Sequence, residues 1–323
     1  MDIYFYSENE NCINSKKAVL LGNSTDVLDA ISSGASALGG IKKGDFSNSV
    51  VCLGDFDGVH KGHRALFSEA QKSGRWGVLI FDRNIKNVPL LTTMYEKIAK
   101  IKECGADFII IAEFSKAFSH KTPAEFVGFL KNDLKVSGVV AGYYYRFGYK
   151  ASGDADALEK LCKDDGISVK IIDELKDASG AIKSTRIREA VKNGNMPLAN
   201  ELLGYPYLIS GKVVAGFKNG RKMGIPTANI DFDEQKLLPK DGVYFGKAED
   251  MDAVINVGKN PTFDAKDRTV EVHIMDFSKD LNKKHINVSF LEKIRDEKKF
   301  LKKEELTKQI KSDIDWVKNR KRK

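Results

Sequence analysis

His60 and His63 stand three residues apart in the string Gly54-Asp55-Phe56-Asp57-Gly58-Val59-His60-Lys61-Gly62-His63. The apolar run Val50-Val51-Cys52-Leu53 before it reads as a buried strand, and Arg64 to Ala70 after it has helical spacing. A strand-to-helix junction is where open α/β sheets bind ligands, and the free N–H groups of a helix N-terminus suit phosphate. Two imidazoles on one side of a first helical turn can hydrogen-bond one phosphate and stabilise the charge that builds as pyrophosphate leaves. Gly62 is expected to let that phosphate approach the backbone closely. The spacing alone also fits a surface pair or part of a metal site, but the sequence has no Cys-x-x-Cys and no third clustered His to complete a zinc site.

A second constellation begins at Gly211 and is glycine-punctuated and basic through Gly216, Gly220, Arg221, Lys222 and Gly224 to Ile225-Pro226-Thr227-Ala228-Asn229. Backbone N–H groups of such a loop can cradle phosphates, with Arg221 or Lys222 neutralising them. The spacing is not that of a Walker P-loop. Thr227 and Asn229 both carry oxygens, and alternation puts them on one face of an extended segment, which suits a Mg²⁺ shared with nucleotide phosphates. Glu271 sits between Val270 and Val272 on a strand, either exposed on the polar face or aimed into a site. A third stretch, Lys183-Ser184-Thr185-Arg186-Ile187-Arg188, opens a helix. Its hydroxyls and guanidinium groups can hold a triphosphate, or can be an ordinary cap with two solvated arginines.

The elements that must position these groups fall into two textures. Strands are expected at Trp76–Phe81, Phe108–Ile111, Val139–Ala141 and Ser168–Ile172. Helices are expected over Thr93–Cys104, from the Thr122-Pro123-Ala124-Glu125 capping box to about Leu134, and over Asp154–Asp165. That alternation predicts a doubly wound, mostly parallel α/β sheet, with binding residues on the loops after its strands, Gly142 to Gly148 among them. In residues 1–48 only Ala18–Leu21, as a strand, and a short helix over Val27–Ile31 suggest themselves. Near residue 200 the texture changes to short strands at Ile209–Val214, Gly242–Lys247, Ala253–Val257, Thr269–Met275 and Ile286–Phe290. These predict a small antiparallel β-barrel closed by a C-terminal helix with an apolar stripe of Leu301, Leu306, Ile310, Ile314 and Val317. The expected domains are 1–200 and 201–323.

The His60 string resembles the Gly-x-Phe-Asp-Gly-Val-His-x-Gly-His form found in bacterial bifunctional riboflavin kinase/FAD synthetases. Residues 183–188 are similar to that family's Ser-Ser-Thr-x-x-Arg motif, with Lys183 where the first Ser would stand. Gly224-Ile225-Pro226-Thr227-Ala228-Asn229 resembles the riboflavin kinase motif. Pro239 to Tyr244, Asn256 to Phe263, Val270 to Ile274 and Ile294 to Phe300 follow in the family's order. The resemblance implies a nucleotidyltransferase-like, Rossmann-like FAD synthetase domain followed by a riboflavin kinase barrel. It makes His60, His63 and Arg188 catalytic in adenylyl transfer, with Gly54, Phe56, Gly62, Ser184 and Thr185 binding ATP. In the barrel it makes Glu271 the base for the ribityl 5′-hydroxyl, Gly216, Gly220 and Arg221 phosphate contacts, Thr227 and Asn229 the Mg²⁺ ligands, and Arg295 a flavin contact. ATP is the co-substrate, and riboflavin, FMN and FAD are the other ligands. The family's Phe-x-Pro-His-Pro is absent after Phe81, and Tyr144, followed by Tyr145, stands where Asn or Asp is common. These departures leave open an alternative: a riboflavin kinase whose N-terminal domain is a degenerate regulatory or interaction module.

Composition excludes less. With 323 residues and 42% hydrophobic content, the chain has room for two globular domains. It contains neither a signal-peptide pattern nor a run of eighteen apolar residues, and Cys12, Cys52, Cys104 and Cys162 are scattered. A cytoplasmic protein that contacts no membrane, monomeric or weakly homo-oligomeric, is expected. Net charge is +8, and residues 292–323 carry thirteen Lys/Arg against seven Asp/Glu. The mixed, helically spaced charges of this tail read as a solvated helix face rather than a nucleic-acid surface, so no nucleic-acid partner is expected. The remaining rival, a basic RNA-associated protein without catalysis, predicts steeply salt-dependent RNA binding and no ATP turnover.

Overall fold

The computed structural model describes residues 1–8, 19–20, 45–214, 225–259, 268–277, 279–300 and 302–320. They divide into two compact units, Met1–Lys183 and Ser184–Lys323.

In the first unit β1 (Asp2–Tyr6), β2 (Val19–Leu20), β3 (Val50–Leu53), β4 (Trp76–Phe81), β5 (Phe108–Ala112), β6 (Gly138–Gly142) and β7 (Ser168–Ile172) form one sheet in the order β2-β1-β5-β4-β3-β6-β7. All neighbours are parallel except the β1–β2 pair. After β7, the short β8 (Lys176–Asp177) and β9 (Gly180–Ala181) form a separate antiparallel ribbon. β3 and β5 are buried at every position, as strands covered on both faces must be. Helices α1 (Lys61–Gln71) and α2 (Met94–Glu103) cover one face through Leu66, Phe67, Ile98 and Ile101. A short α3 (Lys116–Ser119), α4 (Pro123–Gly128) and α5 (Ala155–Asp164) lie on the other side of the chain's path. There Phe118, Phe126, Leu158 and Cys162 fill the second core. This is the expected doubly wound fold. From β3 the chain builds β4 and β5 to one side, then returns to place β6 on the other. That reversal is the topological switch point, so the loops after β3 and β6 flank the crevice where such sheets bind ligands.

Two details go beyond the sequence reading. Thr122 and Glu125 form the expected capping box, but the helix they open passes into a π turn at Phe129–Asp133. The first residues, not assigned an element from sequence, are β1, with Ile3, Tyr4 and Tyr6 buried against β5. A five-residue stretch with three aromatics becomes a strand only because β5 offers it a partner edge. Val19–Leu20 falls within the expected strand at 18–21, while the expected helix at 27–31 lies outside the described residues.

In the second unit, α6 (Ser184–Lys192) and α7 (Met196–Leu203) precede a closed six-stranded barrel. Its strands are β10 (Tyr207–Val214), β11 (Ala228–Asp231), β12 (Gly242–Ala248), β13 (Met251–Lys259), β14 (Arg268–Ile274) and β15 (His285–Asp296), in the order β10-β11-β14-β13-β12-β15. Gly204 ends α7 in the left-handed conformation at φ 81°, the usual glycine stop. The C-terminal helix α8 (Lys303–Arg320) packs Ile314, Trp316 and Val317 against Val243, Phe245 and Val254. Leu306 and Ile310 are half-buried, and Leu301 lies outside the described residues. The change of texture near residue 200 marks where helices give way to strands, whereas packing groups both preceding helices with the barrel. Asn200 Nδ2 donates to the Phe290 carbonyl at 2.9 Å, and the Asn200 side-chain oxygen accepts from Tyr207 N–H at 2.7 Å. Cys52 and Cys162 are buried, Cys104 is partly so, and all three are free thiols.

Candidate active sites

The turn after β3 is held under strain. Phe56, Gly58 and Val59 have φ of 52°, 87° and 36°, in the left-handed region that a β-branched valine avoids. Its supports are buried and polar. The Asp57 carboxylate accepts from the backbone N–H groups of Leu91 and Thr92 at 3.1 and 2.9 Å, and the Thr92 hydroxyl accepts from Gly58 N–H at 2.9 Å. The product is a rigid entry into α1. His60 is its N-cap, and the ring Nδ1 accepts from His63 N–H at 3.3 Å. A ring that accepts at Nδ1 carries its proton on Nε2, so His60 presents a donor there. His60 and His63 stack with centroids 3.6 Å apart, which is the expected convergence on one side of the turn. Burial first, then His60, Lys97 and Lys86, hold His63 well below its ordinary pKa, so it is neutral near pH 7. Lys97, itself buried, donates to the Asp55 carbonyl at 2.7 Å, and Lys86 pairs with the Asp55 carboxylate at 3.2 Å. Two ammonium groups therefore flank a donor-bearing helix start, an arrangement complementary to a polyphosphate.

The glycines and Phe56 shape the surroundings of the two histidines. A Cβ on Gly62 would lie 3.1 Å from the His60 ring and 3.3 Å from the Ile182 carbonyl, so Gly62 makes room for the imidazole. A Cβ on Gly54 would meet the Phe56 ring at 3.0 Å. That ring is wholly buried, edge-on to His63 at 5.2 Å and against Phe67 at 5.0 Å. Phe56 braces His63. Ser184, Thr185 and Arg188 stand on the first turns of α6, in the second unit.

In the barrel, strand register assembles what sequence separates. Asn229 on β11 pairs with Glu271 on β14, Glu271 pairs with Asn256 on β13, Asn256 with Val243 on β12, and Val243 with Arg295 on β15. Directly paired residues share a face, so Asn229, Glu271, Asn256 and Arg295 lie along one cross-strand row. Val270, Val272 and Ile274 alternate with Glu271 and fill the opposite, buried side of β14. Burial pushes the Glu271 carboxyl above its ordinary pKa. His273 Nδ1 contacts the Pro226 carbonyl at 2.8 Å, which ties the residue before Thr227 to the strand of Glu271. Arg295 clamps the C-terminal helix: Nε is 3.0 Å and Nη2 2.8 Å from the carboxylate of buried Asp313, and Nη1 reaches the Asp296 carbonyl at 3.1 Å. Gly216, Gly220 and Arg221 lie outside the described residues.

Comparison with known proteins matches a FAD synthetase family model to residues 42–186 and a riboflavin kinase family model to residues 203–320. A Listeria monocytogenes bifunctional riboflavin kinase/FMN adenylyltransferase is 38% identical over 82% of this chain and 90% of its own length. The chain belongs to this family. The Escherichia coli K12 relative of the same description is 35% identical over 82% of this chain and 90% of its own. A Streptococcus pneumoniae crystal structure described as a macrolide-efflux protein is 34% identical and superposes with a TM-score of 0.77, covering 85% of this chain and 95% of that one. Among the described residues no helix is long and apolar enough to cross a membrane.

Several residues around the candidate sites were not singled out from sequence. Lys86 and Lys97 drew no reading from sequence, and only their meeting at Asp55 brings them to the turn. Asn256 was visible as part of a motif but not as a neighbour of Glu271. Glu297 is similar: a Cβ on Gly258 would lie 2.5 Å from its carboxylate, so that glycine admits an acidic side chain two residues along the strand from Asn256.

Proposed function

We propose that the barrel domain transfers the γ-phosphoryl group of ATP to riboflavin, and that the N-terminal domain joins AMP from a second ATP to the FMN so formed, releasing pyrophosphate. The observation that supports this reading is that the reacting groups form two separate constellations, the stacked histidines at a helix start and the Glu271 row on a barrel. In the barrel, Glu271 takes the proton from the ribityl 5′-hydroxyl, and the oxygen attacks the γ-phosphorus as ADP leaves. A base with a raised pKa suits that task near neutral pH, provided it is positioned first. Asn229 and Asn256, one on each side, fix its lateral position.

The donor set at Thr227 and Asn229 suits Mg²⁺: two neutral protein oxygens, with nucleotide phosphates completing the shell. When bound, the ion offsets phosphate charge. Gly216, Gly220 and Arg221 are assigned to the same phosphates, and Arg295 to the flavin end of the row, with Asp313 orienting it. In the N-terminal domain an FMN phosphate oxygen attacks the α-phosphorus. His60 and His63 donate to the phosphates as charge moves onto the leaving pyrophosphate. Gly54 and Phe56 give backbone contacts, Gly62 admits His60, and Ser184, Thr185 and Arg188 hold the triphosphate. By this reading the functional domains are 1–200 and 201–323, although α6 and α7 pack with the barrel. We place the enzyme in the cytoplasm, as a monomer or weak homo-oligomer acting on small molecules and on neither nucleic acid nor membrane.

Product analysis of riboflavin with ATP and Mg²⁺ tests this. FMN followed by FAD, with pyrophosphate released from FMN plus ATP, is the expected result. FMN alone at every enzyme concentration would leave a riboflavin kinase with an inert N-terminal domain, and no flavin nucleotide at all would overturn both assignments.

A further inference from the structure

Two residues at which this chain departs from its family's pattern, Tyr144 and Lys183, are 39 positions apart in sequence and touch in the fold. Lys183 Nζ lies 4.4 Å from the centroid of the Tyr144 ring and forms an ion pair with Glu174. Their surroundings put them on the rim of the His60 turn. Tyr144 is in the loop after β6, the strand directly beside β3, and Tyr143 N–H pins that loop to the Ile172 carbonyl at 2.9 Å. Lys183 follows Ile182, whose carbonyl packs against Gly62 and whose N–H donates to the Leu175 carbonyl at 2.9 Å.

Tyr143 and Tyr144 are 55% and 59% exposed, an edge-to-face pair of large rings turned to solvent at the crevice of the sheet. Lys183 covers part of the Tyr144 ring but is itself half-exposed. An ammonium has three donors, so Glu174 does not exhaust it. Exposed aromatic faces beside a cation suit a ligand that is planar at one end and anionic at the other.

We propose that Tyr144 and Lys183 act as a coupled pair that selects the flavin nucleotide in adenylyl transfer: the isoalloxazine ring packs on the tyrosine and the attacking phosphate pairs with the lysine. This rests on the adenylyl-transfer reading above. FMN fits better than ATP for a stereochemical reason. The attacking oxygen must come in line and opposite the leaving pyrophosphate. With the triphosphate held at the start of α1, the nucleophile enters from the rim. A cation there offsets repulsion between two phosphates, and a ring platform fixes the angle of approach. Reverting one partner alone to the family's type removes the contact that holds the other, so their effects are not additive.

The test measures FAD formation in the full chain with Tyr144→Asn, Lys183→Ser and the double variant, varying FMN and ATP separately. The expected result is a KM for FMN raised about tenfold in each single variant, a KM for ATP within about twofold of the parent, and a double variant less impaired than the product of the singles. The preserved KM for ATP shows that the domain is folded. An unchanged KM for FMN, or a rise confined to ATP, would overturn the pairing. FMN titration by flavin fluorescence separates this from failure of the underlying reading. If the parent makes no FAD, adenylyl transfer is wrong, yet loss in Tyr144→Asn of one of the parent's two quenching phases, the barrel supplying the other, still supports a flavin platform. Retention of both phases in Tyr144→Asn removes it.

Discussion

In the proposed reaction scheme the His60 turn and the Glu271 row meet the same kind of electrophile, a phosphorus of ATP, and the two are built in opposite ways. At the His60 turn the reacting side chains are three residues apart, and the fold's effort goes into rigidity: left-handed backbone at Phe56 and Val59, a buried Asp57, and a buried aromatic brace behind His63. In the barrel Asn229, Asn256, Glu271 and Arg295 span 67 residues of sequence, and hydrogen-bond register alone aligns them. The difference follows the chemistry. A leaving pyrophosphate needs donors fixed in place, which a helix N-terminus supplies locally. A hydroxyl nucleophile needs a base at one defined point, which a strand in a closed barrel supplies by being unable to slip.

The sharpest break between the two regions is Glu271→Gln. FMN formation should fall about 10²–10⁴-fold, while FAD formation from supplied FMN is unchanged, both followed by chromatography. The sign of the pH dependence follows from burial: Glu271 keeps its proton to higher pH than a free carboxyl, and only its ionised form accepts a proton. The acid limb of kcat/KM for FMN formation therefore lies above pH 4.5, and activity rises with pH through it. An acid limb at or below that value would remove Glu271 as the base. The mirror experiment is His63→Ala, expected to cost FAD formation about 10²–10³-fold with FMN formation intact. Loss of both activities would mean that the regions are not separable.

Smaller effects sharpen the contrast. Arg295→Ala strands buried Asp313 and should lower barrel stability by about 3 kcal/mol, read by urea unfolding. Asp313→Asn in the same chain should restore part of it. If stability recovers and the KM for riboflavin does not, Arg295 contacts flavin as well as clamping the helix. Smallest is Asn229→Ala, which should move the Mg²⁺ midpoint of FMN formation about tenfold; titrations that overlay the parent's would place the ion elsewhere.

What was legible in sequence tracks how local each feature is. The histidine pair, the capping box at Thr122 and the helices beginning after Thr93 and Thr122 were readable because their partners are within four residues, whereas the Thr93–Glu96 capping box was not singled out. β1 was not, since Asp2–Tyr6 is too short for a pattern and owes its state to β5. Gly62 was read as letting a phosphate approach and Gly54 as an ATP contact implied by the resemblance, but that a Cβ at either would crowd the ring of His60 or Phe56 is legible only in the fold. Arg295 was visible as a motif residue, and its commitment to Asp313, eighteen residues away on another element, was not.

By itself the sequence determined the reaction classes and the two fold types, and it singled out Glu271, His60 and His63 as candidates. Those depend on residue type at short spacing, which the chain carries in one dimension. Only the tertiary structure decided that Asn256 flanks Glu271, that Lys86 and Lys97 converge on Asp55, and that Tyr144 meets Lys183. Each of those contacts joins distant segments. Strand register, the reversal of strand order at β3, and the packing of loops at one sheet edge bring them together, and none of these leaves a local trace in the residues concerned.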